Sequence, residues 1–444
     1  MRSEANRDVT YKEALEYIHG LYWRGKKNGL EKTKELLELC GHPENGLRFV
    51  HIAGTNGKGS CAAMLASVCQ SAGLKTGLYT SPYIVRYNER ILVNGEEIPD
   101  GRLAALTEYL AEFAEKMEVP PSEFEFGTVL AFLYFQEQQC DIVILETGLG
   151  GTFDSTNVIQ NPLLCIITTL GLDHTKQLGN TITEIAQAKA GIIKRGAPVV
   201  FYGETKEGEA VIRSRCEELS VPLVLPDFKE IVPERIGTPA MPGEQGKEEN
   251  CQQFSYKQWR HITLALCGLY QQKNAALVLE AAELLRTKGL GISSEAVRKG
   301  LRTVRWQARL EVLRNNPLLL VDGSHNPQGM RATVESLRQY FPERKLQFIF
   351  GVMADKEPEA LAELFLPLAK KVYVTAPAVP RAMKAEELLA LCERLVPEPG
   401  RTEFVLCPTV ESALAASAEE APDEVIAAVG SLYLAGEIKK AAAR

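Results

Sequence analysis

The chain has 444 residues, of which 45% are hydrophobic and 24% are charged, and its formal net charge at pH 7 is −7. This length exceeds what one hydrophobic core usually serves, so we expect a soluble, globular protein of two domains. The acidic balance argues against nucleic acid or an anionic membrane as a partner, because either would need a basic face.

The cysteines and the N-terminal sequence indicate in which cellular compartment the protein is expected. Ten cysteines are scattered along the chain and none forms a C-x-x-C pair, which is typical of reduced thiols rather than of disulfides or a zinc site. The opening MRSEANRDVTYKEALEY contains no apolar signal core, and no apolar run reaches the length of a membrane span. These features predict a cytoplasmic protein without a membrane partner.

The first predicted elements surround a glycine-rich turn. Residues 10–40 are predicted to be helical, with an interruption at 25–31. A strand over 47–53 then leads through the glycine-rich turn into a helix from about residue 60 to residue 72. Strand, loop and helix in this order are the context of a phosphate-binding loop.

Apolar, β-branched runs alternate with helical stretches in the next part of the chain. These runs are Asp141–Glu146, Leu163–Thr169 and Ala197–Tyr202. Continuous apolar strands that alternate with helices predict a mostly parallel sheet covered on both faces. Residues 226–258 break the alternation and predict an exposed loop beside short antiparallel strands.

A helical region is predicted over Ile262–Arg302, followed by a hinge at residues 303–308, TVRWQA. Alternation of strands and helices begins again at LLLVDGSHN and continues to EVIAAVGS. The predicted fold class is therefore α/β. An N-terminal P-loop-type ATPase domain with a mostly parallel sheet covers residues 1–302, and a smaller C-terminal Rossmann-like domain covers residues 309–444.

The turn GTNGKGS carries residue types suited to phosphate binding. Its glycines let backbone amides turn toward an anion, and the following helix adds the positive end of its dipole. Lys58 can bridge β- and γ-phosphates, and Ser60 can support phosphate or a metal ion. The spacing departs from G-x-x-x-x-G-K-[ST], because Ile52 and Gly59 replace the outer glycine and the hydroxyl residue, which disfavours GTPases and small-molecule kinases. The predicted nucleotide-binding residues here are Gly54, Thr55, Asn56, Gly57, Lys58, Gly59 and Ser60.

Polar side chains follow two of the predicted strands at the same edge of the sheet. Glu146 ends a buried strand, where a carboxylate can hold Mg²⁺ or, alternatively, cap a turn. Asp173 and His174 follow the next strand; a lone histidine is more often structural, but this one shares its edge with Lys58 and Glu146. The residues around Lys189 in the sequence carry no further signal, so by themselves they predict a solvated lysine.

The second predicted domain adds three candidates. Asp322 and His325 lie at another strand end, and Arg309 follows the hinge. A lone arginine usually forms a surface ion pair, but one at a hinge between α/β domains can clamp a phosphate. The residues alone thus predict an enzyme that uses ATP and Mg²⁺, with its site between two domains, and they leave the substrate open.

These motifs together resemble those of folylpolyglutamate synthases and dihydrofolate synthases, relatives of the muramyl peptide ligases. The ordered set runs from EYIHGLYWRGKKNGLEK through HIAGTNGKGS, TSPYIVRYNERILVNGEEI, ETGLGGTFDSTN, LGLDHTKQLGNTITEIAQAKAGIIK, QQKNA, RLE and VDGSHNP to GSLYLAGEI. Each motif is weak by itself, but their order is specific. The resemblance implies a ligase that uses ATP and an acyl phosphate to add L-glutamate to folates, and also to dihydropteroate.

The resemblance also implies roles for individual residues. The implied catalytic residues are Lys58, Lys189, which would be carbamylated, and His325. The implied Mg²⁺ ligands are Ser81, Glu146 and His174. The implied ATP contacts outside the phosphate loop are Asn274, Arg309 and Asp322. The implied substrate residues are Gly29, Leu30, Ser122, Phe124, Glu125, Phe153, Asp154 and Ser155 on the pteridine side, with Ser431 and His325 near the incoming glutamate. Phe124 suits stacking on a flat ring and Asp154 suits hydrogen bonding to ring nitrogens, although a core phenylalanine and a turn aspartate are the alternatives.

The chain departs from the family pattern at four points. Tyr83 and Tyr270 stand where histidines are usual, Thr152 replaces a usual arginine, and WQAR replaces W-P-G-R. None of these changes removes a phosphate or metal residue, but Tyr83 and Thr152 leave open which pteroyl compound is preferred.

Two other functions stay open at this point. A muramyl-type ligase acting on a UDP-sugar peptide is disfavoured by the short stretch before Gly54, which leaves no room for a separate UDP-binding domain. A catalytically inactive ATP-binding relative is disfavoured because Lys58, Glu146, His174 and Lys189 are all present. The expected partners are small-molecule substrates, namely ATP, L-glutamate and a folate or dihydropteroate. The expected state is a monomer, since the site needs one chain.

Overall fold

The computed structural model describes residues 9–21, 29–237, 239–240, 252–396 and 400–443. The chain forms two compact units, Met1–Asp227 with Ala276–Gly300, and Phe228–Ala275 with Leu301–Arg444. Residues 228–275, placed by the sequence analysis in the first domain, thus pack with the C-terminal unit. The predicted division of function between residues 1–302 and 309–444, with a hinge at 303–308, stays a prediction.

The N-terminal unit is built on an eight-stranded sheet in the order β4-β3-β2-β5-β1-β6-β7-β8. All neighbours are parallel except the pairs β2–β3 and β3–β4 at one edge. The strands are β1 (Phe49–Ala53), β2 (Thr76–Tyr79), β3 (Ile91–Val93), β4 (Glu96–Glu97), β5 (Ile142–Glu146), β6 (Leu164–Ile167), β7 (Val199–Phe201) and β8 (Leu223–Val224). The predicted strands at 47–53, 141–146, 163–169 and 197–202 are confirmed as β1, β5, β6 and β7.

Helices cover both faces of this sheet, as its apolar central strands require. The helices of the unit are α1 (Tyr11–Gly20), α2 (Glu31–Leu39), α3 (Lys58–Ser71), α4 (Asp100–Ala114), α5 (Glu123–Glu137), α6 (Thr175–Leu178), α7 (Ile182–Ala190) and α8 (Lys206–Leu219). A large apolar core lies between the sheet and α5, where the rings of Phe49 and Phe132 are 5.3 Å apart. Two further helices, α9 (Tyr270–Thr287) and α10 (Ser294–Thr303), belong in sequence to both units.

The C-terminal unit contains two sheets. One is antiparallel, with β9 (Ile231–Arg235), β10 (Gln252–Tyr256) and β11 (Trp259–Leu264) in the order β11-β10-β9. The short antiparallel strands predicted in this region are therefore confirmed, and most of the predicted loop lies outside the described residues. The prediction of helix from Ile262 was wrong for residues 262–264, because Ile262 and Leu264 pair with Phe254 and Gln252 across the sheet and belong to β11, which ends at Leu264.

The larger sheet has six strands in the order β12-β13-β17-β14-β15-β16, parallel except for β12. The strands are β12 (Glu311–Asn315), β13 (Leu318–Val321), β14 (Leu346–Phe350), β15 (Ala369–Val374), β16 (Glu403–Leu406) and β17 (Val425–Val429). The helices are α11 (Pro327–Tyr340), α12 (Pro358–Phe365), α13 (Ala385–Leu395), α14 (Val410–Ala418) and α15 (Leu432–Ala442). The α/β fold class predicted from the sequence is confirmed in both units.

Within the described ranges, every helix is too short or too polar to span a bilayer.

Candidate active site

The glycine-rich turn connects β1, in the middle of the sheet, to the N-terminus of α3. Gly57 is the N-cap residue of α3 and has a φ of 88°, a left-handed conformation that glycine adopts without penalty. At Gly54 a Cβ atom would lie 1.7 Å from the Thr168 hydroxyl, so this position accepts no side chain. The turn therefore needs glycine at both positions to bring its backbone and the helix dipole to one point.

Hydrogen bonds hold the turn against the segment that follows β6. The Thr55 amide donates to the Thr169 carbonyl at 2.7 Å, and the Asn56 amide donates to the Thr169 hydroxyl at 3.1 Å. The Thr55 hydroxyl donates to the Gly171 carbonyl at 3.1 Å. These contacts fix the backbone of the turn before any ligand arrives, which lowers the entropic cost of binding one.

Two lysines and one carboxylate meet at this turn. Lys58 Nζ donates to the Gly54 carbonyl at 3.1 Å, and Lys189 Nζ, from α7, donates to the same carbonyl at 2.8 Å. Glu146 ends the neighbouring strand β5, and its Oε1 atom lies 4.0 Å from Lys58 Nζ. Glu146 Oε2 also accepts a hydrogen bond from the Ser81 amide at 3.3 Å. The structure thus brings together Lys58, Lys189, Glu146 and the backbone amide of Ser81; their roles in binding and catalysis stay predictions.

Lys189 is 3% exposed, and its environment disfavours the ammonium form. Burial lowers the pKa of Lys189 to about 7, and the charge of Lys58 acts in the same direction, while Asp173 and Asp154 oppose the shift. The solvated lysine suggested by the bare sequence is therefore wrong. A neutral amine in a buried, electropositive place is a nucleophile at neutral pH.

His174 lies apart from the buried part of this cluster. Its side chain is 48% exposed, its backbone has a φ of 51°, and its amide donates to the carboxylate of its own neighbour, Asp173, at 2.8 Å. In the part of the chain that the structure describes, no three His, Cys, Asp or Glu side chains converge as a metal site. A Mg²⁺ ion would still fit here, because it commonly binds through one carboxylate, hydroxyl groups, water and substrate phosphates.

The predicted pteridine residues come from α2, α5 and the loop of residues 148–156. Phe124 packs its ring on Gly148, where a Cβ atom would lie 2.6 Å from the ring, and the Ser155 hydroxyl is 3.2 Å from the Thr128 hydroxyl on α5. Ser122 caps α5 in a reciprocal arrangement with Glu125. Gly29 and Leu30 precede α2, whose residue Lys32 forms a 2.8 Å ion pair with Glu125.

Two members of this group differ sharply in exposure. Phe153 is 67% exposed, the largest exposed fraction among the large hydrophobic side chains of the described residues, whereas Asp154 is 5% exposed. Asp154 accepts hydrogen bonds from the amides of Leu149 at 2.7 Å and Thr156 at 3.0 Å. Its carboxylate therefore shapes the loop, while Phe153 offers the loop's apolar surface to solvent.

The C-terminal unit holds its own set of predicted residues. Asp322 follows β13 and is 3% exposed. Its carboxylate accepts hydrogen bonds from the amides of Leu310 and Ser324, both at 2.9 Å, and from the hydroxyls of Thr333 at 3.0 Å and Tyr270 at 3.3 Å. Asp322 thus ties the start of this unit's large sheet to α11.

Arg309 and His325 belong to the same unit, and each contacts a backbone carbonyl close to it in sequence. Arg309 Nη1 donates to the Ala308 carbonyl at 3.0 Å and approaches Gly323, and His325 Nδ1 is 2.9 Å from the Gly323 carbonyl. Asn274 is buried in α9, where its amide donates to Gln271 at 2.9 Å. Ser431 is the N-cap residue of α15 and accepts a hydrogen bond from Leu434.

The departures from the family pattern occupy defined environments. Tyr83 lies under the guanidinium of Arg90, 5.2 Å from the ring centroid. Thr152 donates its hydroxyl to the Ala188 carbonyl at 3.0 Å, next to Lys189. Tyr270 is partly buried, and desolvation together with the charge of Asp322 raises its pKa well above the ordinary value.

Sequence reasoning missed two buried polar residues beside these groups, Lys32 and His51. His51 lies on β1 within the quoted motif HIAGTNGKGS, so its position before the phosphate loop was a signal that could have been used. Lys32 gave no signal, because its partner Glu125 is far away in sequence.

Comparison with known proteins agrees with this architecture. Residues 52–282 match the Mur ligase middle domain, and residues 308–432 match the Mur ligase glutamate ligase domain. The chain is 37% identical over 441 residues to the dihydrofolate synthase/folylpolyglutamate synthase of Bacillus subtilis, covering 97% of this chain and 99% of that protein.

Two solved structures are also similar. One is the Mycobacterium tuberculosis folylpolyglutamate synthase complexed with ADP and AMPPCP, with a TM-score of 0.84, 28% identity and coverage of 98% and 99%. The other is Escherichia coli FolC in complex with DHPP and ADP, with a TM-score of 0.83, 25% identity and coverage of 99% and 98%.

The two matched domains and the phosphate loop define an ATP-dependent amide ligase of the Mur ligase class. Within that class, the chain belongs to the folylpolyglutamate synthase and dihydrofolate synthase family.

Proposed function

We propose that this protein joins the α-amine of L-glutamate to a carboxylate of a folate, and also to that of dihydropteroate. The observation that carries the proposal is the convergence of Lys58, Lys189 and Glu146 on the phosphate loop at the end of β1. The names of the relatives supply the substrates, since they include both folylpolyglutamate synthases and a bifunctional dihydrofolate synthase.

The chemistry needs ATP because a carboxylate does not react with an amine at neutral pH. The carboxylate attacks the γ-phosphorus of ATP, which forms an acyl phosphate and releases ADP. The amine of glutamate then attacks the acyl carbon, the new C–N bond forms, and inorganic phosphate leaves. Protein groups act mainly by placing positive charge and amide donors where negative charge develops.

In this scheme Lys58 binds the β- and γ-phosphates, and the amides of Gly57 to Ser60 bind their oxygens. Glu146, with the hydroxyls of Ser60 and Ser81, would hold Mg²⁺, which supplies charge neutralisation on the phosphates when it is bound. His174 is proposed as a further ligand. In the C-terminal unit, Asn274, Arg309 and Asp322 are proposed to contact ATP, and His325 and Ser431 to lie near glutamate.

Lys189 is proposed to be carbamylated. Its neutral amine would add to the carbon of CO₂ and lose a proton, which turns a cation beside Lys58 into an anion. Burial favours this reaction because it already holds the pKa of Lys189 near 7. The resulting carboxylate would pair with Lys58 and help to place the acceptor carboxylate in line with the γ-phosphate.

On the pteridine side, Phe124 is proposed to stack on the flat ring, Asp154 to face its nitrogens with Glu125 nearby, and Phe153 to cover the bound substrate. The exposed ring of Phe153 supports this role, because a large apolar group in solvent gains by being covered. A single chain supplies all these groups, so a monomer stays our expectation, as does a cytoplasmic location.

The test is phosphate release from the purified protein with ATP, Mg²⁺ and L-glutamate. Dihydropteroate is added in one set and tetrahydrofolate in another. Release in both sets is expected, with an amide product of one added glutamate detected by mass spectrometry. Release with tetrahydrofolate alone would restrict the proposal to chain extension. No release in either set, with ATP still bound, would refute it.

A further inference from the structure

A buried histidine lies three residues before Gly54, the first residue of the phosphate loop. His51 is in the centre of β1, and its side chain is 0% exposed. Along the strand it shares a face with Phe49 and Ala53, because side chains alternate across a sheet. The other four residues of β1 are apolar, so a leucine or valine would satisfy packing here and the imidazole calls for another explanation.

The imidazole begins a chain of short hydrogen bonds. His51 Nε2 is 2.8 Å from the Thr156 hydroxyl, which donates to Asp154 Oδ1 at 2.5 Å. Asp154 Oδ2 in turn accepts from the Leu149 amide at 2.7 Å. The chain therefore runs from the strand that carries the phosphate loop into the loop of residues 148–156.

With Asp154 as the carboxylate acceptor, the direction of the protons along this chain follows from the donors that are available. The Thr156 hydroxyl has one proton, which it donates to the carboxylate, so the hydroxyl oxygen must accept from His51 Nε2–H. Burial, with a smaller contribution from Lys194, lowers the pKa of His51 to about 3, so the ring is neutral. Its Nδ1 atom is buried and has no hydrogen-bond partner among the residues that the structure describes. The fold thus keeps a polar ring in its core and uses only one of its two nitrogens.

We propose that His51 is a positioning residue that holds the 148–156 loop, through Thr156 and Asp154, in the conformation that binds the pteroyl substrate. The inference rests on the proposed function, since it takes the exposed Phe153 as a substrate contact. One hydrogen-bonded unit then joins the phosphate loop's own strand to the substrate loop. A shift of the loop would move Phe153 and Leu149, the two exposed apolar residues at its surface.

The test compares variants that break the chain with variants that keep it. His51→Leu and Thr156→Val remove a donor at nearly constant volume, whereas His51→Gln and Thr156→Ser keep one. Thr107→Val is the matched control, because Thr107 is a buried threonine of the same unit whose hydroxyl donates within its own helix, to the Leu103 carbonyl. For each protein we would measure affinity for dihydropteroate, affinity for AMPPCP, and hydrogen exchange of the Leu149 amide.

We expect His51→Leu and Thr156→Val each to weaken dihydropteroate binding about tenfold and to leave AMPPCP binding unchanged. Exchange at Leu149 should accelerate in both, and the double variant should be no worse than either single one, because the residues act in one chain. His51→Gln, Thr156→Ser and Thr107→Val should behave like the wild type.

Three results would overturn the inference. Equal losses of dihydropteroate and AMPPCP binding would make His51 a general packing residue. Unchanged Leu149 exchange in Thr156→Val would show that the loop does not depend on the chain. Dihydropteroate binding as weak in His51→Gln as in His51→Leu would show that the Nε2 donor does not hold the loop. If the wild type binds neither dihydropteroate nor tetrahydrofolate, the proposed function fails, and Leu149 exchange still decides whether His51 holds the loop.

Discussion

Two clusters of charge, one in each unit, have opposite character. At the phosphate loop, Lys58 and Lys189 share the carbonyl of Gly54. In the C-terminal unit, Lys371 on β15 lies 2.9 Å from Glu420 and 3.2 Å from Glu403, and the Tyr373 hydroxyl donates to Glu420 at 2.5 Å. The first cluster places two lysines at one carbonyl, with the Glu146 carboxylate 4.0 Å from Lys58, whereas the second pairs opposite charges at shorter distances.

The pKa values follow this difference. Burial lowers the pKa of Lys189 to about 7, whereas hydrogen bonds from Tyr373 and Lys371 lower the pKa of Glu420 to about 2. The same contacts raise the pKa of Lys371, with Glu420 as the main cause. The C-terminal cluster thus favours its charged forms and stabilises the fold, while the N-terminal cluster disfavours a charge, which is the pattern expected of a site arranged for a ligand.

The largest expected effect is at Lys58. Lys58→Ala should lower kcat by about 10²–10⁴, because it removes the cation that stabilises the transferring phosphoryl group. Phosphate release with saturating ATP measures this. Lys75→Ala is the matched control, since Lys75 belongs to the same unit and its ammonium donates only to Gln138 in the described structure. Full turnover by Lys58→Ala would show that the cluster at the phosphate loop does not serve catalysis.

The next effect concerns Lys189 and bicarbonate. We expect a carbamate carbon signal in ¹³C NMR of the protein with ¹³C-bicarbonate, growing as the pH rises through about 7, because only the neutral amine reacts. Lys189→Arg should abolish that signal and lower turnover by about 10²-fold.

Lys194→Arg is the control for Lys189, since burial also lowers the pKa of Lys194. The signal should survive in this variant. A signal that is absent from the wild type at pH 8 would leave Lys189 a bare amine and would contradict carbamylation.

The smallest expected effect is on stability. Glu420 has a pKa in the folded state below the ordinary value, so its contribution is complete above about pH 4.5 and is lost as the pH falls toward 2. Glu420→Gln should therefore lower the apparent Tm by roughly 2 °C at pH 7, about 1 kcal/mol, and by less at pH 3.

The control for Glu420 is Glu359→Gln, which removes an exposed pair with Arg394 in the same unit. It should leave the Tm nearly unchanged at both pH values. An equal loss of Tm for Glu420→Gln at pH 7 and pH 3 would show that packing, and not charge, makes the cluster stabilising.

Much of the fold was readable from the sequence for a simple reason. The central strands are buried on both faces, so β5, β6 and β7 appear as apolar runs, and the glycine pattern marks the loop between β1 and α3. The end of β11 was misread because the short stretch Ile262 to Leu264 lies only five residues before the start of α9 at Tyr270. Periodicity alone does not distinguish strand from helix in so short a run.

The pairings inside the site were not readable. Lys32 meets Glu125, and His51 meets Thr156, across long stretches of chain, and each contact exists only because the sheet and α5 are assembled. Asp154 illustrates the limit, since its residue type suits either a ring contact or a turn. In the structure its carboxylate accepts hydrogen bonds from two backbone amides of its own loop. The spacing of residues in the sequence does not reveal these bonds.

The central position of β1 has a consequence for how the protein acquires its site. The loop needs Glu146 from β5 on one side and Thr169 after β6 on the other, so three strands distant in sequence must pair first. A growing chain that ends before residue 169 cannot form this site, however complete its glycine motif. The phosphate loop can therefore bind ATP only after this sheet has assembled, and ATP should protect the N-terminal unit against unfolding as a whole rather than any one of its helices.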